Sequence, residues 1–339
     1  MSVIQGPGKT TPRFIQDVLS YDPVNLPRSG FNILTHIPPV YNDQEPYPEL
    51  ISSQCCPHVY ITKPNQTKLL PDDRQIPGVP YKVSSVCTIC RLHLELGITY
   101  PRSNIPRHTH IHHLVPLPSN SKESNPFEAK GQGLETYRFR CSYSTCAVQV
   151  SVKFLSPLIT PKWVKLLTDP ELVQQRAEEV IKTSPERYEG LGLPLPIAVL
   201  NNLRTYIEHS LQDKQRTRSI AFANKRFNLC FGLQGEPCKE LLEFLEFTSQ
   251  DDAFWHPPRP SKSATLPYDT PLNIFLDNAA YELLALINQR PKLEAESQPV
   301  DIHNINIVNS VPHFERLLDL IKCWYLVDPV LGRTELTFG

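Results

Sequence analysis

The chain has 339 residues, and its 34 Lys and Arg residues balance its 35 Asp and Glu residues, for a net charge of −1 at neutral pH. That balance argues against a broad basic surface for nucleic acid or for an anionic membrane. No apolar run approaches the roughly 18 residues needed to span a bilayer, and the N-terminal sequence lacks a signal-peptide pattern. The nine cysteines, an odd number in a long chain, favour a reducing compartment, so we expect a cytoplasmic or nuclear protein.

Proline is unusually common, with 34 residues in the chain, about twice the usual ~5%. Many of these prolines lie between Pro23 and Pro80 and between Pro257 and Pro271. Proline fixes φ and removes a backbone donor, which favours extended, irregular chain. The sequence therefore predicts a Pro-rich irregular arm over residues 1–80, interrupted by one short helix from Pro12 to Tyr21. The functional alternative for this arm is a partner-binding extension.

Two cysteine pairs follow the arm, one spaced as Cys-x-x-Cys and the other five residues apart. Two such pairs brought side by side provide the four thiolates that hold a structural Zn²⁺ in a tetrahedron. Alternating apolar residues flank both pairs and predict a β-hairpin at each. We therefore predict a zinc-ribbon-like antiparallel β module over residues 81–158. The predicted metal ligands are Cys87, Cys90, Cys141 and Cys146.

Other ligand sets and other uses of these cysteines remain open. His93, His112 and His113 are alternative ligands, either in place of one cysteine or for a second ion. The thiols could also be ordinary core residues, because free cysteine is among the most buried residue types. A redox Cys-x-x-Cys is a further alternative, but it prefers a strand that runs into a helix, whereas residues 92–98 alternate like a strand. A fully occupied four-ligand site would be structural and not catalytic.

From residue 159 to residue 339 the apolar period changes to that of helices, so we predict a helical domain there and an α+β fold class for the chain. A proline marks the start of one helix, and Thr168 to Glu171 has the spacing of a capping box for the next. The predicted helices begin at Thr160, Thr168, Pro196 and Pro237, and two more span Pro271 to Asn288 and Val311 to Leu326.

Two cysteines of this helical region are candidate nucleophiles, namely Cys230 and Cys238. Cys238 is predicted in the first turn of a helix, where the helix dipole lowers a thiol pKa. No histidine–acid pair is recognisable beside either cysteine, so packed thiols are the favoured interpretation. The sequence also contains no phosphate loop, dinucleotide fingerprint, nucleophile elbow or His-Glu-x-x-His motif.

Several short stretches, taken in order, resemble the N-terminal non-catalytic region of large fungal ubiquitin-specific proteases of the ubiquitin carboxyl-terminal hydrolase 2 type. The stretches are Thr11 to Pro23, Arg28 to Gly30, Val86 to His93, His112 with His113, the Cys141 and Cys146 pair with its following strand, Asn224 to Phe227, Phe231 with Gly232, and Trp255 to Pro258. The resemblance covers nearly the whole chain, and the zinc pattern is its most specific part.

The resemblance implies a zinc-stabilised, non-catalytic interaction module of a deubiquitinase. Its implied partners are ubiquitin or ubiquitinated proteins and a HECT-type E3 ubiquitin ligase with its adaptor. The Gly-Asn-Thr-Cys nucleophile box of that family does not occur here, so no catalytic residue is assigned, and the chain is expected to be either a fragment or a stand-alone relative. The alternatives are a thiol hydrolase that uses Cys238 or Cys230, and a structural scaffold without ubiquitin contact.

Overall fold

The computed structural model describes residues 60–67, 81–99, 112–117, 126–141, 149–212, 219–251, 253–258, 270–289 and 323–326. The chain is α+β and divides into two compact units. The described residues within 1–128, 132–156 and 302–339 form one unit, called here the sheet unit. Those within 129–131 and 157–301 form the other, called the helical unit. Of the described residues, those between 157 and 289 belong to the helical unit, and 323–326 belong to the sheet unit. The predicted domain boundaries after residues 80 and 158 stay predictions. Residues 1–59 of the predicted arm lie outside the described residues.

Six strands of the sheet unit precede the helices. They are β1 (Tyr60–Thr62), β2 (Tyr81–Cys87), β3 (His93–Thr99), β4 (His112–Pro116), β5 (Leu134–Cys141) and β6 (Gln149–Leu155). They pair antiparallel throughout, in the spatial order β1-β2-β3-β6-β5-β4. The strand β1 shows that the predicted irregular arm contributes an edge strand to this sheet.

The apolar alternation predicted for β3 and β6 is confirmed. The register pairs Leu94 with Phe154, and it pairs Ile98 with Val150. All four side chains are buried. Successive side chains of a strand point to opposite faces, so these pairs build one continuous apolar face across the two strands.

The helical unit contains seven α-helices and three short strands among its described residues. The helices are α1 (Pro161–Thr168), α2 (Pro170–Thr183), α3 (Pro185–Tyr188), α4 (Pro196–Gln212), α5 (Lys225–Phe231), α6 (Lys239–Phe244) and α7 (Pro271–Asn288). The strands β7 (Ile220–Ala221), β8 (Thr248–Asp251) and β9 (Phe254–His256) form an antiparallel sheet in the order β7-β9-β8. Proline opens α1, α2 and α7, as predicted, because the first helical position needs no backbone donor.

The cap of α2 differs from the prediction by one residue. The N-cap is Asp169, whose side chain accepts hydrogen bonds from the backbone N–H groups of Glu171 and Leu172 at 3.0 and 3.4 Å. Thr168 is still the last residue of α1, and its hydroxyl donates to the carbonyl of Val164 at 2.7 Å. The two helices follow each other so closely that Thr168 is occupied by the first and cannot cap the second.

A buried carboxylate lies in the middle of α7, which packs against α4. Glu282 is 0% exposed and accepts the backbone N–H groups of Leu158 and Ile159, at 2.7 and 2.9 Å. Both donors belong to the segment that leads into α1. Charged acceptors make the stronger kind of hydrogen bond, so Glu282 fixes this segment to the longest helix of the unit.

The helix predicted from Val311 to Leu326 is wrong at its C-terminal end. Residues Cys323–Leu326 form β10, which pairs parallel with β4 and completes a seven-stranded sheet. The register places Cys323 opposite His112 and Leu326 opposite Leu114, with an irregularity between Cys323 and Tyr325. Aromatic residues favour strands as well as apolar helix faces, and pairing with an available edge decides the outcome. Residues 311–322 of the predicted helix lie outside the described residues.

Candidate functional site

The first predicted cysteine pair lies in the turn that joins β2 to β3. Cys87 ends β2 and is fully buried, and its sulfur accepts the backbone N–H of Ile89 at 3.4 Å. The backbone N–H of Cys87 donates to the carbonyl of Leu92 at 2.8 Å, and Arg91 has a positive φ of 64°. The prediction of a hairpin turn at this pair is therefore confirmed.

The second predicted pair lies at the connection between β5 and β6. Cys141 is the last residue of β5, is 4% exposed and pairs with Leu114 of β4. Strands β5 and β6 are antiparallel neighbours, as the predicted hairpin requires. Cys146 belongs to the connection and lies outside the described residues.

The register of the sheet does not bring Cys87 and Cys141 together. The Cys87 turn lies at the C-terminal end of β6, because His93 pairs with Leu155. Cys141 lies at the N-terminal end of the same strand, because Arg140 pairs with Gln149. Gln149 and Leu155 are about 20 Å apart along the strand, at about 3.3 Å per residue. Two thiolates on one zinc ion are only about 4 Å apart, given Zn–S bonds of about 2.3 Å. The four-cysteine site remains a prediction that this register does not assemble.

The alternative histidine ligands divide between the same two ends of the sheet. His93 is fully buried near the Cys87 turn, and its Nδ1 lies 3.2 Å from the Nζ of Lys63. His112 and His113 begin β4, at the end of the sheet where Cys141 lies. In the part of the chain that the structure describes, no group of three or more His, Cys, Asp or Glu residues could hold a metal ion.

Cys238 is a packed thiol and not an activated one. It ends a short 3₁₀ segment (Leu233–Cys238), takes the N-cap position before α6, and is 1% exposed. Burial raises the pKa of this thiol to about 11, and the nearby Arg176 guanidinium offsets only part of that rise. The direction is opposite to the pKa lowering that a helix N-terminus alone predicts, because desolvation of the thiolate dominates.

Cys230 has the same character. It lies in α5 at 1% exposure, and the side-chain amide of Asn202 donates to its sulfur at 3.3 Å. Burial raises its pKa, while Asn202, Arg176 and Arg226 act in the opposite direction. None of these three groups is a general base, so the surroundings of Cys230 do not resemble those of a cysteine nucleophile.

The structure brings together one serine–histidine pair that the sequence did not signal. The hydroxyl of Ser219 lies 2.9 Å from the Nδ1 of His256, although the two residues are 37 positions apart. Ile220 pairs with Trp255 in the neighbouring position of the β7–β9 ladder. The Ser219–His256 contact therefore continues that ladder by one side-chain bond, which is a structural role.

No protein-family model, curated protein or solved structure matches this chain. Among the helices that the structure describes, none combines the length and the apolar content needed to cross a membrane.

Proposed function

We propose that this chain is a zinc-stabilised, non-catalytic interaction module of a deubiquitinase, of the ubiquitin carboxyl-terminal hydrolase kind. It acts in deubiquitination by binding ubiquitin, ubiquitinated proteins, or a HECT-type ligase with its adaptor. The observation that carries the non-catalytic part is the state of the two candidate nucleophiles. Cys230 and Cys238 are each 1% exposed, and burial raises the pKa of both thiols. A protonated, inaccessible thiol is a poor nucleophile. The ubiquitin part rests on the sequence resemblance.

Two measurements test the ubiquitin part and the non-catalytic part separately. Titration of the full chain with fluorescently labelled mono-ubiquitin and di-ubiquitin is expected to give saturable binding. A ubiquitin carrying a cysteine-reactive C-terminal group is expected to leave the chain unlabelled. No binding of either ubiquitin would contradict the ubiquitin part and favour a scaffold. Labelling that disappears in Cys238→Ala but persists in the matched Cys230→Ala variant would show instead that the chain is a thiol hydrolase.

Zinc has a structural role in this proposal, and the register favours one end of the sheet for it. We propose the Cys141 and Cys146 pair as ligands together with His112, which lies two positions before Leu114, the partner of Cys141. Cys141 and Leu114 are directly opposite, so Cys141 and His112 are diagonal neighbours about 7–8 Å apart between their Cα atoms.

Metal analysis of two double variants separates this ligand set from the four-cysteine set. Plasma mass spectrometry of the purified chain is expected to show about one zinc ion. Replacing both Cys141 and Cys146 by serine should remove it, whereas replacing both Cys87 and Cys90 should not. Loss of zinc in both variants, with folding checked by circular dichroism, would favour the four-cysteine set instead. Folded wild-type protein without zinc would end the zinc part while leaving the ubiquitin titration valid.

A further inference from the structure

The connection between α3 and α4 exposes three leucines within five residues. Leu191, Leu193 and Leu195 are 44%, 41% and 43% exposed. They alternate with a glycine and a proline, so an apolar side chain recurs at every second position. We call residues 189–195 the leucine segment. Single exposed apolar residues are normal on a protein surface, whereas a cluster of this kind marks an interaction surface.

The leucine segment is held in a defined position between two buried residues. Before it, Tyr188 is buried, and its backbone carbonyl accepts the N–H of Leu191 at 3.1 Å. After it, Ile197 is buried in the first turn of α4. Pro194 fixes its own φ and favours an extended backbone at the preceding Leu193. A partner that covers the leucines therefore has little chain left to order, which lowers the entropic cost of binding.

The same unit contains an apolar cavity of about 420 Å³ between α1, α2 and the start of α6. Its volume falls in the range of about 300–1,000 Å³ that is usual for ligand sites. The apolar lining residues are Trp163, Leu166, Leu172, Pro237 and Leu241. Among the lining residues that the structure describes, none belongs to the leucine segment. The leucines of one chain therefore do not fill the cavity of that chain.

The margins of the two surfaces carry opposite charges that are not neutralised. Each of the two lining carboxylates pairs with a lysine, at 2.6 and 3.7 Å. Lys165 lines the cavity and is exposed, and it makes no ion pair within the described part of the chain. Glu189, the first residue of the leucine segment, is exposed and makes none within that part either. An exposed pair of this kind adds little affinity, but it fixes the direction in which a segment enters.

We propose that the leucine segment of one copy of this chain inserts into the cavity of a second copy. Leu193 then packs against Trp163 and Leu172, and Glu189 lies beside Lys165. The segment and the cavity are different surfaces, so the contact is head-to-tail, and successive copies form a ring or an open chain. Three half-exposed leucines present much less area than the roughly 800 Å² per partner of a stable dimer, so the association is weak. The inference does not depend on the proposed role in deubiquitination, nor on zinc.

Sedimentation velocity of the full chain between about 10 µM and about 500 µM tests the contact, because weak interfaces associate in this range. We expect the weight-average sedimentation coefficient of the wild type to rise with concentration. Leu193→Glu should lower the association constant at least about tenfold, since it buries a charge against an apolar wall. Leu233→Glu is the matched control. Leu233 is also 43% exposed but belongs to neither surface, so its replacement should leave association within about twofold.

A mixture of two variants determines whether the contact is head-to-tail. Leu172→Glu disrupts the cavity of a chain whose leucine segment is intact, and Leu193→Glu does the reverse. The new carboxylate at position 172 lies in the first turn of α2, where the helix dipole favours it, so the fold is retained. Each variant alone should stay monomeric. An equimolar mixture should form a one-to-one dimer and nothing larger, because one productive contact remains.

A peptide provides a readout that needs no variant chain. An acetylated and amidated peptide of residues 188–196 should dissociate the wild-type oligomers, and the same peptide with Leu193→Glu should not. A wild-type chain that stays monomeric up to about 500 µM would overturn the proposal and leave the leucines to a different protein. Association that survives Leu193→Glu, or a mixture of the two variants that stays monomeric, would overturn it as well.

Discussion

Alkylation of Cys238 should be very slow in the folded chain. Burial raises the pKa of its thiol to about 11, so about one molecule in a thousand carries the thiolate at pH 8. An exposed cysteine with a pKa of about 8.5 is about one-quarter thiolate at the same pH. The reactive fraction of Cys238 is therefore about 200-fold smaller, and its 1% exposure slows the reaction further by limiting access.

The assay is iodoacetamide labelling at pH 8, with digestion and mass spectrometry of the peptide that contains Cys238. The same reaction in urea gives the rate for the unfolded chain, and the ratio of the two rates reports protection. We expect a ratio of at least about 200. A native rate within tenfold of the urea rate would refute both the burial and the raised pKa, and would reopen the hydrolase alternative.

Two further predictions concern stability. Glu282→Gln should lower the free energy of unfolding by about 2–4 kcal/mol, because the amide can accept from only one of the two backbone donors and presents its own N–H to the other. Urea unfolding followed by circular dichroism measures this change. A loss below about 0.5 kcal/mol would contradict the prediction. Burial, with a smaller contribution from the Cys230 thiol, raises the pKa of Tyr206 to about 12, and that of Cys238 is about 11. The unfolded chain releases both protons first as the pH rises, so stability should decline from about pH 9 to 12, and Tyr206→Phe should flatten the decline between pH 10 and 12. Equal urea midpoints at pH 8 and pH 10.5 would argue against this linkage.

Local signals in the sequence predicted the elements well. The alternation in β3 and β6 reports one buried face, and a proline at the first helical position marks α1, α2 and α7. Both signals depend on residues within a few positions of each other. The secondary structure of residues 323–326 does not follow from local signals, because their aromatic and apolar side chains suit a helix face and a strand equally. Pairing with the neighbouring β4 determines that a strand forms.

The arrangement of the candidate sites could not be predicted in the same way. Spacing suggested that the two cysteine pairs meet, but the pairing of β3 with β6 places their turns at opposite ends of the sheet. The helix position suggested a lowered pKa for Cys238, whereas distant residues bury it and raise the pKa. Arg176 did carry a signal, since a charged residue interrupts the apolar stripe of α2 between Val173 and Ala177. Within the described residues, its Nε and Nη2 make no hydrogen bond, which no local pattern of the sequence reveals.

The parallel pairing of β10 with β4 affects how the chain must be synthesised and folded. Residues 157–301, which are all of the helical unit except 129–131, separate β10 from the rest of its sheet in the sequence. A growing chain that has emerged only as far as α7 therefore carries β4 as an open edge, with backbone donors and acceptors free to pair with another chain. Shortened versions that end inside the helical unit should therefore self-associate through β4, whereas the full chain covers that edge with its own β10.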